Sequence, residues 1–185
     1  CGRCGRCRRC QFEFRSGCFD FGLHGFCSGG NFSGGKPEWN ALRDAYATEM
    51  LVGRNRLHRV NDLTFFGNDV TRQTRMEEDE ARAFFDSKPA FKILSALSGD
   101  WLGTRHNATL HDPLAAVALF HPEVCTYGYA EVEVTPAGPE AGKTNVKGEV
   151  AAEPDAKRRI RVATGVDRDL FYRIYVETCT SDVRK

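Results

Sequence analysis

The feature that most restricts the fold is the stretch 110–120, in which Leu-His-Asp-Pro is followed by an unbroken apolar run. This order predicts a buried helix, with Asp112 as its N-cap and Pro113 at the first helical position. Unpaired N–H groups gather at a helix N-terminus, so His111 and Asp112 would lie where an anionic or electron-rich ligand can bind. The alternative is a capping aspartate beside a surface histidine, and this stretch alone favours that structural interpretation.

A second polar segment begins at the turn 29–31, Gly-Gly-Asn, and continues to Glu38 and Asn40. An amide both donates and accepts hydrogen bonds, whereas a carboxylate only accepts them. This combination suits a ligand that carries several hydroxyl groups. An ordinary glycine turn followed by helix caps is the structural alternative.

Four motifs then occur in one order along the chain: the Gly-Asn turn at 30–31, Glu-x-Asn at 38–40, Asp-Val-Thr at 69–71 and Leu-His-Asp-Pro at 110–113. Together they resemble the C-terminal half of the inosine–uridine-preferring nucleoside hydrolases, over about residues 25–178. An ordered set of motifs is more specific than any one of them. The sequence departs from the family pattern by lacking an Asp-x-Asp-x-x-x-Asp-Asp loop, and its spacing from Asn31 to Glu38 is one residue longer than usual.

The resemblance implies an α/β fold, namely the C-terminal part of a Rossmann-like nucleoside hydrolase fold with a mixed sheet and flanking helices. It implies N-glycosidic hydrolysis of ribonucleosides to base and ribose. His111 would be the catalytic acid that protonates the leaving base, and the substrate-binding residues would be Asn31, Glu38, Asn40 and Asp112. Asp112 would also be a ligand of Ca²⁺, which the complete family domain uses.

Calcium takes six to eight oxygen ligands, and only Asp112 stands at a position that matches a family ligand. We therefore expect the chain to be a C-terminal portion of an enzyme and to be inactive alone. Two alternatives remain open: a non-catalytic remnant that serves as an interaction module, and a cysteine-rich metal-binding protein.

The metal-binding alternative rests on the cysteines at positions 1, 4, 7 and 10. Structural zinc sites use separated cysteine pairs, and this run is uniform and rich in arginine, which disfavours a metal site. We therefore predict that residues 1–23 are a poorly ordered Cys/Arg-rich segment or a gene-start artefact, and that residues 24–185 form a partial nucleoside hydrolase-like domain. Cys125 and Cys179 are predicted to be buried free thiols.

The net charge of +1 gives no overall attraction to nucleic acid. No apolar run approaches the ~20 residues that span a bilayer. We therefore expect a soluble, cytoplasmic protein whose partner is a small-molecule nucleoside, with no nucleic acid and no membrane, and homo-oligomerisation is left open.

Hydrophobic periodicity predicts the remaining elements. The predicted helices are 38–51, with Leu42, Ala45 and Leu51 facing inward, then two helices within 77–98, with Ala90, Phe91, Ile93, Leu94 and Leu97 facing inward, and a last helix capped by Asp167. The predicted strands are 57–66, 127–135, 146–150 and 160–163. Residues 99–109 are predicted to be a lid-like loop in which Trp101 stacks on a base or anchors the loop.

Overall fold

The computed structural model describes residues 18–21, 24–32, 34–56 and 62–181. The helices are α1 Trp39–Arg43, α2 Ala45–Arg56, α3 Asn68–Thr71, α4 Glu78–Asp86, α5 Lys92–Arg105, α6 His111–Phe120 and α7 Arg168–Thr180. The strands are β1 Cys18–Phe21, β2 His24–Ser28, β3 Asp62–Phe66, β4 Arg75–Glu77, β5 Asn107–Thr109, β6 Cys125–Val134, β7 Thr144–Ala151 and β8 Ile160–Val166. Short 3₁₀ turns occupy Arg72–Thr74, Pro89–Phe91 and Pro122–Val124.

Six strands form one mixed sheet in the order β1-β2-β3-β8-β6-β7. Strands β2, β3 and β8 run parallel, whereas β1, β6 and β7 pair antiparallel with their neighbours. Strands β4 and β5 form a separate antiparallel pair. The predicted α/β fold with a mixed sheet and flanking helices is therefore confirmed.

Apolar side chains cover both faces of the sheet, and strand β3 shows how. Phe65 packs with Val52 of α2 and with Val162 on one face. The next residue, Phe66, packs with Leu114 of α6 on the other face. Successive side chains of a strand point to opposite faces, so a central strand buried on both sides reads as a continuous apolar run.

Strand β6 follows the predicted alternation, with Ala130, Val132 and Val134 buried and Glu131 and Glu133 more exposed. The final helix also begins as predicted. The Asp167 side chain accepts a 3.0 Å hydrogen bond from the Leu170 N–H, which satisfies one of the free donors at the helix N-terminus.

The predicted helix 38–51 is instead two helices, α1 and α2, that meet at Asp44. Asp44 leaves the helical conformation (φ −146°, ψ 73°), and its side chain accepts a hydrogen bond from Ala47 N. The break turns Leu42 outward, contrary to the prediction. Ala45 is buried, and Leu51 is half-buried against the cluster that contains Phe65 and Val52. Gly53 lies inside α2 and does not end it.

The prediction of two helices within 77–98 is confirmed, but the second one continues to Arg105, so the predicted loop 99–109 is wrong. The loop residues instead complete α5 and form strand β5. Of the side chains predicted to face inward, Phe91 is half-buried, whereas Ala90, Ile93, Leu94 and Leu97 are exposed. Among the residues of α5, only Leu102 is fully buried, because the apolar side chains surround the helix and one narrow face meets the core.

The segments at the chain ends fall partly outside this description. Residues 1–17 and 182–185 are outside the described residues, so the metal-binding alternative and the boundary at residue 23 stay predictions. Strand β1 lies where no element was predicted.

Cys125 is buried and Cys179 half-buried, and both are free thiols. Burial raises the pKa of Cys125 to about 11. No helix within the described ranges has the length and apolar character needed to cross a membrane.

Candidate active site

The turn 29–31 follows strand β2 and is tied to the end of strand β3. Gly29 N–H donates to Phe66 O at 3.1 Å, and Asn68 N–H donates to Gly30 O at 2.9 Å. Gly30 has a positive φ of 87°, and a Cβ there would lie 2.9 Å from the Phe32 ring. The turn therefore requires glycine. Since β2 and β3 are parallel, both carboxyl ends meet at one edge of the sheet, where ligands gather in open α/β folds.

Asn31 is held firmly at this edge, with 8% of its surface exposed. Its backbone N–H donates to the Thr144 hydroxyl at 2.8 Å, and its side-chain amide donates to Lys36 O at 3.0 Å. One donor of the side chain therefore stabilises its own loop. A role in binding a sugar stays a prediction for Asn31.

Glu38 is the N-cap of helix α1. Its Oε2 atom accepts hydrogen bonds from Asn40 N–H at 2.8 Å and from Ala41 N–H at 3.1 Å. Its Oε1 atom makes no hydrogen bond within the described part of the chain. This atom is not fully buried, so it keeps some exposure to solvent. Glu38 can therefore cap the helix and accept from a ligand at once. Asn40, half-buried in the first turn, stays a predicted substrate contact.

Helix α3 begins directly after β3 and contains the Asp-Val-Thr motif. Asp69 Oδ1 accepts a long, 3.4 Å hydrogen bond from Phe32 N–H. A Cβ at Gly67 would collide with this Asp69 oxygen and lie 2.9 Å from the Phe32 ring. The motif thus packs closely on the chain that follows the 29–31 turn.

The last residue of α3, Thr71, contacts the predicted catalytic histidine. The Thr71 hydroxyl lies 2.7 Å from His111 Nδ1, although 40 positions separate the two residues. Burial lowers the pKa of His111 below its usual value, the Asp112 carboxylate opposes this shift, and Arg72 adds to it. Thr71 was not predicted to contact His111, and the one sequence signal for it is its place in the Asp-Val-Thr motif.

The prediction that Asp112 is the N-cap of the helix is wrong. Helix α6 begins at His111 with Leu110 as its cap residue, so Asp112 and Pro113 lie inside the first turn. Proline is tolerated there because the first N–H groups of a helix have no intrahelical partner. Asp112 is exposed at the positive end of the helix dipole, where a carboxylate is stabilised.

Calcium requires more than Asp112 supplies. In the described ranges, no group of three or more His, Cys, Asp or Glu side chains is placed to hold a metal ion. Six to eight oxygens normally surround Ca²⁺. That Asp112 is a calcium ligand stays a prediction.

A chain of hydrogen bonds connects part of the predicted set. The turn that carries Asn31 is bonded to Asn68 at the start of α3, and Thr71 at the end of α3 is bonded to His111. Asn31 and His111 thus border one region of an α/β fold, at the carboxyl ends of β2 and β3. That Glu38 and Asn40 lie in the same site as Asp112 stays a prediction.

These features define an α/β protein with a polar site at the carboxyl edge of its parallel strands. The family model described as "Inosine-uridine preferring nucleoside hydrolase" matches residues 17–173. The chain therefore belongs to the inosine–uridine-preferring nucleoside hydrolase family. No curated protein matches its sequence.

Solved structures support the same fold. A plant nucleoside hydrolase, PpNRh1, superimposes with a TM-score of 0.70 at 22% identity, covering 84% of this chain and 52% of that one. An inosine–guanosine nucleoside hydrolase gives a TM-score of 0.68 at 16% identity, covering 84% and 51%. A purine-preferring ribonucleoside hydrolase from Gardnerella vaginalis gives 0.59 at 25% identity, covering 80% and 47%. The chain spans about half the length of these structures.

Proposed function

We propose that this chain contributes the leaving-group side and part of the ribose side of a site that hydrolyses the N-glycosidic bond of ribonucleosides. The observation that supports this most is the Thr71–His111 hydrogen bond at the start of α6. It holds a titratable side chain beside the carboxyl ends of β2 and β3. Family membership agrees with this chemistry, and the three relatives described above are named as nucleoside hydrolases.

In this proposal, His111 protonates the base as it leaves. The lowered pKa makes the protonated ring a stronger acid, with a smaller protonated fraction near neutral pH. General-acid catalysis typically contributes ~10² to 10⁴ in rate. The ring is half-buried, and its Nε2 atom makes no hydrogen bond within the described part of the chain, so that atom can face a ligand.

The ribose hydroxyls would be bound by Asn31, Glu38, Asn40 and Asp112. The Glu38 Oε1 atom is the best-supported acceptor of the four, because the cap uses Oε2 alone. We also propose that Asp112 is one calcium ligand, with the remaining oxygens supplied from outside the described residues.

An interaction module is the second candidate, and exposed apolar side chains favour it. Trp39 and Tyr46 are 67% and 62% exposed, and Ile93 and Leu97 of α5 are 72% and 75% exposed. Large exposed apolar patches often mark interfaces. Such surfaces are compatible with catalysis as well, so only an activity measurement separates the two functions.

The test measures ribose released from inosine and uridine, with and without calcium, by the chain within its complete natural polypeptide. We expect calcium-dependent release that His111→Ala lowers at least ~10²-fold, in line with general-acid catalysis. Lys147→Ala, which alters a surface ion pair with Glu133, is the matched control and should leave release unchanged. A folded polypeptide that releases no ribose from either nucleoside would contradict the proposed hydrolysis and favour the interaction module.

A further inference from the structure

The Thr71 hydroxyl has a single hydrogen-bond partner. Within the described part of the chain, its only hydrogen bond is the 2.7 Å contact with His111 Nδ1. Thr71 is 1% exposed, so solvent contributes little to its bonding. A buried hydroxyl with one partner satisfies its proton only by donating it to that partner.

The local backbone leaves the hydroxyl no competing acceptor in its own helix. A helical threonine commonly donates to the carbonyl four residues earlier. For Thr71 that carbonyl is Gly67 O, which already accepts from Val70 N–H at 3.0 Å and from Thr71 N–H at 2.9 Å. The hydroxyl points to the histidine instead.

Hydrogen bonds from the Thr74 side chain fix the backbone that carries the Thr71 hydroxyl. The Thr71 carbonyl accepts a 2.8 Å hydrogen bond from the Thr74 hydroxyl, which also bonds to Leu110 O at 3.2 Å. Thr74 is fully buried, and Leu110 directly precedes His111. The end of α3 and the start of α6 are therefore joined by the Thr74 hydroxyl and by the Thr71–His111 contact.

We propose that Thr71 is a positioning residue, whose hydroxyl donates to His111 Nδ1 and fixes both the ring orientation and the neutral tautomer that carries its proton on Nε2. This inference rests on the proposed function for its catalytic meaning. The Nε2–H group is then the donor of the ring that remains available to a ligand. A hydroxyl suits this task because it adds no charge next to Asp112 and can rotate to accept from Nδ1–H when the ring is protonated, without moving the ring.

The experiment is NMR spectroscopy of the chain labelled with ¹⁵N at its histidines, with long-range proton–nitrogen correlations recorded at pH 8. His111→Gln identifies the His111 signals among the five histidines of the sequence. Thr71→Val removes the hydroxyl while keeping the shape of the side chain, and Thr71→Ser keeps the hydroxyl. Thr48→Val is the matched control, because Thr48 is also buried and its hydroxyl donates to Asp44 O, just before α2 begins.

We expect the parent chain, Thr71→Ser and Thr48→Val to show His111 protonated on Nε2, with Nδ1 at the resonance of an acceptor nitrogen. In Thr71→Val the Nδ1 signal should shift downfield, as expected for an unprotonated nitrogen that has lost its donor, and signals of the second tautomer should appear. If circular dichroism shows that Thr71→Val is unfolded, Thr71→Ala replaces it, and the same shifts are expected.

A parent spectrum with the proton on Nδ1 would overturn the proposal, and so would a folded variant lacking the hydroxyl whose His111 signals are unchanged. Because no substrate is present, these outcomes do not depend on hydrolysis. Absence of ribose release would count against the proposed function and leave the tautomer assignment intact.

Discussion

The backbone N–H of Asn31 donates a 2.8 Å hydrogen bond to the hydroxyl of Thr144, which lies 113 positions later in the chain. Thr144 begins strand β7 at the far edge of the sheet from β1. One buried hydroxyl thus anchors the turn after β2 to the opposite part of the fold.

Thr144→Val should destabilise the chain by ~1–3 kcal/mol, the usual cost of removing the acceptor of a buried N–H. Thr144→Ser should keep most of the stability, because it retains the hydroxyl. Urea unfolding followed by circular dichroism measures both free energies. Equal stability of the valine variant and the parent chain would show that the Asn31 N–H finds another acceptor.

Two roles are assigned to Glu38, and substitutions can separate them. Glu38→Ala should cost about 1 kcal/mol, because it removes the N-cap of α1. Glu38→Gln should lose less stability, since its amide oxygen can still accept from Asn40 N–H, but it should bind ribose more weakly. Thermal unfolding, and ribose titration by NMR in an active polypeptide that contains this chain, are the two measurements. If Glu38→Gln bound ribose as the parent does, the carboxylate would be a structural cap only.

Gly67 directly follows β3, and a Cβ at this position would meet Asp69 Oδ1 and the Phe32 ring. Gly67→Ala should destabilise the chain by ~1–3 kcal/mol, because the added methyl group overpacks this junction. Gly103→Ala is the matched control, since a Cβ at this position inside α5 meets nothing within 4 Å. The control should stabilise by about 0.5–1 kcal/mol because alanine favours a helix. Urea unfolding of both variants checks the contrast in sign.

Parts of the fold could be predicted from the sequence because they depend only on neighbouring residues. The alternation in β6 and the cap at Asp167 depend on spacing and on a residue's own hydrogen bonds. The exposed face of α5 could not be predicted in this way, since an apolar side chain such as Ile93 or Leu97 faces inward only if another element covers it. The pairing of Thr71 with His111 joins two separate motifs through tertiary structure, so neither motif reveals it.

Calcium binding by the 185-residue chain alone is expected to be weak. Asp112 is exposed, and the described residues contain no group of three His, Cys, Asp or Glu side chains placed to hold a metal ion. Isothermal titration calorimetry should therefore detect no micromolar calcium site, and the isolated chain should release no ribose from inosine or uridine. Micromolar binding together with ribose release would mean that this chain forms a complete site, and the expectation of a fragment would be wrong.

His111 and Asp112 are adjacent, and the proposal gives them different tasks, so alanine substitutions of the two should have different kinetic effects. In an active polypeptide, His111→Ala should lower kcat for inosine by ~10² to 10⁴, because the departing base loses its proton donor. A nitrophenyl riboside has an activated leaving group that needs little protonation, so this variant should keep much of its rate on that substrate. Asp112→Ala should impair both substrates to a similar degree, because both carry ribose.

The comparison is informative because the two substrates share a sugar and differ in the group that leaves. Thr71→Val should follow the pattern of His111→Ala in a milder form, with kcat for inosine about tenfold lower and KM little changed, since it misplaces the acid without removing it. Steady-state kinetics on both substrates provide the measurement. If His111→Ala slowed both substrates equally, the histidine would have to be assigned a positional role, and Thr71 would then support the shape of the site instead of its acid.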